Sequence, residues 1–304
     1  MTISTVNNGS GKYSTPSLFK RYKIRFTRFW HLYTDSPFGM IGMFLVLLFV
    51  TMGVFAPILA PYDPNKTMVG ERSDNPSASH PLGTDRLGRD IFSQMIYGAQ
   101  ISLLIGLSAA FISLVIGTLF GLVSGYYGGW IDIILMRITD FFIQLPTLPL
   151  MLVVVSLFGG GMENLILIIG LLGWTGTARI VRSETLSIKQ RAFVEASKSV
   201  GAGNRHIISS HILPNVFPLI FANAILGVVN SIIAEAGLSF LGFGVVGSWS
   251  WGRVLYEAGR ENAILLGAWW HFIPPGISIM LLALGFSLIS FSLNEVLNPR
   301  LRER

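Results

Sequence analysis

The chain of 304 residues is 51% hydrophobic and only 12% charged, with a mean hydropathy of +0.60. Soluble chains carry about 25% charged residues, so a soluble enzyme or nucleic-acid-binding domain is excluded and a polytopic membrane protein is indicated. The net charge is +6 and there is no cysteine, which removes disulfides, thiolate zinc sites and thiol nucleophiles.

The first 36 residues are mostly polar. Lys20, Arg21, Lys23, Arg25 and Arg28 are interleaved with Phe19, Tyr22, Phe26, Phe29 and Trp30, as in a basic amphipathic segment lying on an anionic inner leaflet. The uncharged run 38–60 that follows is too long for the core of a cleavable signal. Its length as a helix is about 34 Å, enough to cross a bilayer core. Further apolar runs cover 101–126, 143–158 (extended at its start by 130–142), 165–177 (reaching towards 181), 216–233 and 272–293. The pattern predicts an all-α membrane protein with six spans. Its organisation is a basic segment 1–36, a first span with its outer loop 37–100, and a five-helix core 101–304 that carries a loop 178–215.

Lys and Arg set the orientation. Six precede the first run, one lies in 127–144, six in 178–215 and three after the last run, 16 in all. The alternate regions 61–100, 159–164 and 234–271 hold four, none and two, 6 in all. Positive residues stay inside, so both termini and the loop 178–215 are expected in the cytoplasm. Trp249, Trp251, Trp269 and Trp270 then flank the last span on the outer side, where an interfacial aromatic belt is expected.

The loop is the most informative stretch. Residues 192–200 suit a short helix, Gly201 suits its left-handed end, and 204–212 suit a second helix leading to Pro214 and the fifth span. Ala196, Ser197 and Gly201 leave one surface nearly free of side chains, edged by Glu195 and Arg205. Periodicity alone favours an ordinary solvated loop with local helix. The outer loop carries a second string, HPLGTDRLGRD, from His80 to Asp90. Gly83 and Gly88 mark turns, and Thr84, Asp85, Arg86, Arg89 and Asp90 supply polar groups whose exposed pairs would be worth only ~0–1 kcal/mol. A third string, EAGLSFLGFG, runs from Glu235 to Gly244 and is followed by Ser250, Trp251 and Gly252.

Taken whole, Glu195-Ala196-Ser197, Gly201 and the run ending at Pro214 and Asn215 resemble the EAA loop of ABC-importer permeases. Ser197 stands where the usual triplet has a second Ala. The His80–Asp90 and Glu235–Gly252 strings resemble the C-type subunit of the dipeptide, oligopeptide and nickel importers. A proline cluster common there is replaced by Val245, Val246, Gly247 and Ser248, which leaves that outer loop's shape open. The resemblance covers roughly 38–301 and implies the type I importer permease fold in a prokaryotic plasma membrane. It implies that Glu195, Ala196, Ser197, Gly201 and Arg205 dock on an ATPase subunit. The implied partners are a homologous second permease, two cytoplasmic ATP-binding subunits that hold ATP and Mg, and an extracytoplasmic solute-binding protein. Peptides are the implied cargo, ahead of oligosaccharides and nickel.

This chain is expected to hold no cofactor, metal or ATPase site of its own. GSGKYS near the start imitates a phosphate-binding loop, but Val6 occupies the place of its first Gly and Tyr13 that of its Ser/Thr. His206 and His211 fall in the cytoplasmic loop, and His31 and His271 at span ends, so no nickel site lines up. A secondary transporter needs buried carboxylates or histidines and usually an internal inverted repeat. Here Asp132 and Asp140 open the third span and Glu235 closes the fifth, where an outer vestibule is expected, and no repeat is evident. A channel or structural protein that merely binds a partner through the loop is the other alternative.

Overall fold

The computed structural model describes residues 31 and 33–297. The basic stretch from Phe19 to Trp30 lies outside them. Among the described residues the chain is helical, with no strand beyond an isolated bridge between Thr84 and Asp90. Four helical runs are long and apolar enough to cross a membrane, and six spans result when each of two bent helix pairs counts as one. The six predicted spans are thereby recovered. "Inner" and "outer" below follow the charge bias.

Helix α1 (Pro37–Val54) starts where Ser36 Oγ accepts from Gly39 N and proline takes the first helical position. It stops short of the predicted Ala60. Phe55 leaves the helix, and a single turn, α2 (Ala56–Leu59), follows with Pro57 at its start. A Cβ on Gly42 would stand 2.7 Å from Gly285 O, so α1 meets the last span backbone to backbone.

Helix α3 (Ile91–Tyr127) is the central post. At roughly 55 Å it is far longer than the predicted run, because its outer turns carry polar residues (Ser93, Gln94, Tyr97 and Gln100) that stand clear of the apolar band. Gly128 and Gly129, with φ of 68° and 52°, turn the chain at the inner end into α4 (Gly129–Gln144). The predicted third span, 143–158 with its extension 130–142, is broken into two helices here. Leu145 precedes Pro146 and is extended, with ψ 133°, as sterics before proline require. Helix α5 (Thr147–Phe158) therefore leaves α4 at 88°.

Helices α6 (Met162–Leu172) and α7 (Thr175–Lys189) form the fourth span, bent by 40° at Gly173 and Trp174. Gly117, Gly121 and Gly125 recur every fourth residue along α3 and face α7. A Cβ at Gly121 would lie 2.6 Å from Ala178 O, and one at Gly117 2.7 Å from Trp174 O. This period-four glycine seam lets two spans touch without side chains between them.

At the inner end come α8 (Ala192–Ser199) and α9 (Asn204–Ile207). The second loop helix runs into the fifth span, as expected. A π-helical turn over Ile208–Ile212 joins α9 to α10 (Leu213–Leu238), giving one continuous run from Asn204 to Phe243. The wider turn lies just ahead of Pro214, whose ring presses on the carbonyls of the preceding turn. Outside the membrane α11 (Trp251–Arg260) packs across the ends of the spans, and α12 (Trp269–Leu297) returns to the inner side. Its contacts with α1 and α10 close the bundle.

Two of the four tryptophans predicted for the aromatic belt are interior instead. Trp249 and Trp251 are buried in a core with Phe49, Ile91, Met95, Val254 and Leu282, whereas Trp269 is 51% exposed. Trp251 N–H is the reason for one of them, because its indole Nε1 donates to Met95 O at 3.0 Å inside that core.

Candidate functional site

The inner loop is built as helix, glycine turn, helix. Helix α8 covers Ala192–Ser199, and its only buried residue is Val194. Val194 joins Leu122, Tyr126, Val181, Ile188, Ile207, Ile212 and Val216 in a core beneath the loop. Gly201 has φ +85°, a conformation that strains any side chain. Gly201 N donates to Lys198 O at 2.9 Å and Ala202 N to Ser197 O at 3.1 Å, satisfying the last carbonyls of α8. The predicted residues share one region: Glu195, Ala196, Gly201 and Arg205 are exposed and Ser197 is half-buried. Val200, 84% exposed, adds an apolar tip beside them.

Tyr126, at the inner end of α3, holds this loop from below. Its hydroxyl donates to Asn204 Oδ1 at 2.7 Å. The Lys189 and Lys198 ammonium groups lie 5.7 and 5.9 Å from its ring centre, within cation–π range. Next to it, Asp132 of α4 accepts from Arg182 Nε and Nη2, both at 2.6 Å, and from Ser124 Oγ at 2.6 Å. Asp140 accepts from Arg179 Nη2 at 2.6 Å. The two carboxylates that open the predicted third span are thus tied to α7. Neither Tyr126 nor these pairings were singled out from the sequence. Spacing along one chain does not show which arginine a carboxylate meets across two helices.

The outer string folds into a buried knot, which corrects the expectation of exposed, weak pairs. Asp85 is 1% and Asp90 0% exposed. Asp90 Oδ1 faces His80 Nδ1 at 2.9 Å, and its Oδ2 accepts from Ser93 N at 2.7 Å and Ser93 Oγ at 2.6 Å. It therefore caps α3 while holding the loop. Asp85 Oδ1 accepts from Leu87 N at 2.8 Å and Arg89 N at 2.9 Å, and its Oδ2 from Arg89 Nε at 2.5 Å and Gln94 Nε2 at 3.0 Å. Charge-assisted bonds of this kind are about twice as strong as neutral ones. Thr84 Oγ1 accepts from Asp74 N at 3.0 Å and donates to Glu71 O. Gly83 is required by close approach as well as by its φ of +66°, since a Cβ there would lie 2.4 Å from Asp74 O. Gly88 turns at φ +68°.

The knot reaches the last outer segment. The Arg89 and Arg253 guanidiniums lie 4.6 and 5.1 Å from the Trp249 ring centre. Arg86 N donates to Glu261 Oε2 at 3.1 Å, and the same oxygen lies 3.5 Å from His271 Nδ1. Burial pushes the Glu261 carboxyl up to about 7.

Glu235 does not face a vestibule. It is 0% exposed, with Ser239 Oγ donating to Oε1 at 2.6 Å and Ser102 Oγ to Oε2 at 3.2 Å. Ser102 Oγ also takes the Trp251 N–H at 3.3 Å. The carboxyl therefore joins α3, α10 and the start of α11, with Ser239 one helical turn on from Glu235. His271, placed by the sequence at an interface, is buried as well.

Residues 117–303 match the family described as "Binding-protein-dependent transport system inner membrane component". Residues 25–78 match "N-terminal TM domain of oligopeptide transport permease C". The dipeptide transport system permease protein DppC of Bacillus subtilis is 39% identical over 285 residues, which cover 93% of this chain and 88% of the relative. The oligopeptide transport system permease protein OppC of the same organism is 34% identical over 288 residues, covering 94% and 91%. The glutathione transport system permease protein GsiD of Pectobacterium atrosepticum is 35% identical over 285 residues, covering 93% and 94%. A chain from a solved structure of inward-facing conformations of the MetNI methionine ABC transporter aligns with a TM-score of 0.47 and 18% identity, covering 62% of this chain and 96% of that one. With its six spans, its glycine-turned inner loop and its knotted outer string, this chain belongs to the ABC-importer permeases, the membrane components of binding-protein-dependent transport systems, as a C-type subunit.

Proposed function

We propose that this chain is one half of the membrane pathway of an ATP-driven importer of di- and oligopeptides. The observation that carries the peptide reading is the 34–39% identity, over most of the chain, to permeases named for dipeptides, oligopeptides and glutathione. Its partners are a homologous second permease, two ATP-binding subunits that carry ATP and Mg, and an extracytoplasmic binding protein that delivers the peptide. Glu195, Ala196, Ser197, Gly201 and Arg205 form the surface that an ATPase subunit grips. Exposed backbone around a glycine turn admits a partner's groove closely, while Val194 and Tyr126 anchor the loop to α3 and α7. ATP-driven closure of the ATPase pair then biases the spans between inward- and outward-open states, as any ligand that prefers one state must. Hydrolysis belongs to those partners. His80 to Asp90 is a rigid outer cap in this reading, and Glu235 a structural tie.

The test is ATP-dependent uptake by the reconstituted complex, with Gly201→Glu as the probe. That change places a bulky acidic side chain at a left-handed backbone position on the gripped surface. Peptide uptake is expected to fall to background, with loss of either ATPase association or coupling. Wild-type uptake by the variant would remove the docking assignment. Uptake of an oligosaccharide or nickel in place of peptide would keep the permease role and replace the cargo.

A further inference from the structure

A cavity of about 490 Å³ opens in the middle of the chain, between α3, the start of α5, the bend joining α6 to α7, and α10. Its size falls within the range of small-molecule sites. No ionisable residue lines it; its polar groups include Ser113, Thr147, Thr175, Thr177, Asn223 and Asn230. Both broken spans open onto it, Thr147 following the break at Pro146 and Thr175 the break at Gly173 and Trp174. Broken backbone at membrane depth is tolerated only inside protein or against a water-filled cavity. Asn223 stands near the middle of the fifth span and Asn230 in its last outer turn, roughly 15 and 25 Å along α10 from Leu213. Asn223 Nδ2 donates to Thr177 Oγ1 at 2.9 Å and Ser113 Oγ donates to Gly170 O at 2.8 Å. The Asn230 amide is exposed, with no hydrogen-bond partner among the described residues. An apolar helix packed into this space would strand amide and hydroxyl groups away from water.

Building on the importer reading above, we infer that this cavity is the chain's own stretch of the translocation path. Asn230, with Asn223 and Thr177 two helical turns further in on the same lining, receives a hydrated, amide-bearing solute through neutral hydrogen bonds. This subunit consequently does not sort cargo by net charge, since no fixed charge faces the solute there.

The natural absence of cysteine makes the test direct. Asn230→Cys in the assembled importer is expected to react, on this chain, with a hydrophilic thiol reagent and to lose peptide uptake on reaction. Phe111→Cys, on the exposed apolar face of α3, is expected to stay unreactive. In a second arm, Asn230→Asp is compared with wild type at equal amounts of assembled complex. Uptake of a dipeptide with an acidic side chain should fall about tenfold relative to one with a basic side chain, the effect of one like charge at close range in a medium of intermediate dielectric. Wild type should carry both at similar rates. Failure of Asn230→Cys to react in any nucleotide state would mean that a partner's helix fills the space, and the inference would fall. Equal loss of both peptides in Asn230→Asp would overturn the neutral-lining argument. A complex that carries no peptide at all would defeat the cargo reading, while labelling at position 230 would still report whether the cavity is wet.

Discussion

At the outer end the loop after the first span folds inward onto its own charges, whereas at the inner end the loop before the fifth span turns its charges outward. Both loops depend on glycines at positive φ, Gly83 and Gly88 above and Gly201 below. The company those glycines keep differs. A Cβ on Gly83 would collide with Asp74 O, while one on Gly201 would meet nothing within 4 Å. The outer glycine is fixed by packing as well as by conformation, and the inner one by conformation alone. The outer loop is accordingly part of the core, resting on Trp249 and Asp90. The inner loop is a thin surface with apolar anchors at Val194 and Ile207 and a polar anchor at Tyr126. A rigid cap above an open handle below is the arrangement expected of a subunit worked from its inner side.

The sharpest way to break this comparison is to remove a carboxylate from each end. Asp85→Ala leaves the Arg89 guanidinium and the Gln94 amide without their shared acceptor in a buried site. Removing one partner of a buried pair costs about 3–5 kcal/mol, so the melting temperature of the purified complex should drop sharply or the chain should fail to accumulate. Glu195→Ala, at an exposed position, should change stability by no more than about 0.5 kcal/mol, and its melting temperature should match wild type. Equal effects at the two ends would erase the distinction.

Tyr126→Phe is expected to have a smaller effect, on the inner end only. The ring, and with it the two lysine contacts, is kept, while the bond to Asn204 is lost. One hydrogen bond contributes about 1 kcal/mol, so amide hydrogen exchange should quicken around 200–207 and stay unchanged across 80–94. Unchanged exchange in the inner segment would mean that the buried Val194 and Ile207 hold the loop without the hydroxyl.

How much of this was legible in the sequence differs between the two ends for a physical reason. The inner loop is local: helix, glycine and helix follow from residues within one short stretch, and the apolar runs and the lysine and arginine bias are equally local readings. The outer knot is not. A short string rich in charge reads as solvated unless one knows what covers it, and the cover comes from Trp249, Arg253 and Glu261, far along the chain. Glu235 is an intermediate case. Its bond to Ser239 lies one turn away and was within reach of the sequence, but Ser102, which completes its burial, belongs to another span. The glycine seam of Gly117, Gly121 and Gly125 was also legible as a period-four repeat. The bend at Pro146 was signalled by the proline, which the reading of 130–158 as one apolar run passed over.

The effect confined to one pH interval concerns the junction of knot and last outer segment. Glu261 accepts from the Arg86 backbone, lies beside His271, and feels Asp85 and Glu257 as like charges against Arg89 as an opposite one. Burial is the largest influence and raises the carboxyl from 4.5 to about 7. In the folded chain this group holds its proton at pH values where the unfolded chain has released it. Stability therefore falls with rising pH over that interval, because the native state binds more protons than the unfolded one. The contribution is fully present below about pH 4.5 and is lost as the pH passes through about 7. Measured against Glu261→Gln, which cannot titrate at this position, the wild-type melting temperature should decline between those limits and then level off. The variant keeps an acceptor for Arg86 N–H and carries no charge, so the difference between the two reports this group. A slope identical in Glu261→Gln and wild type would assign the titration to another group and detach the last outer segment from the electrostatics of the knot.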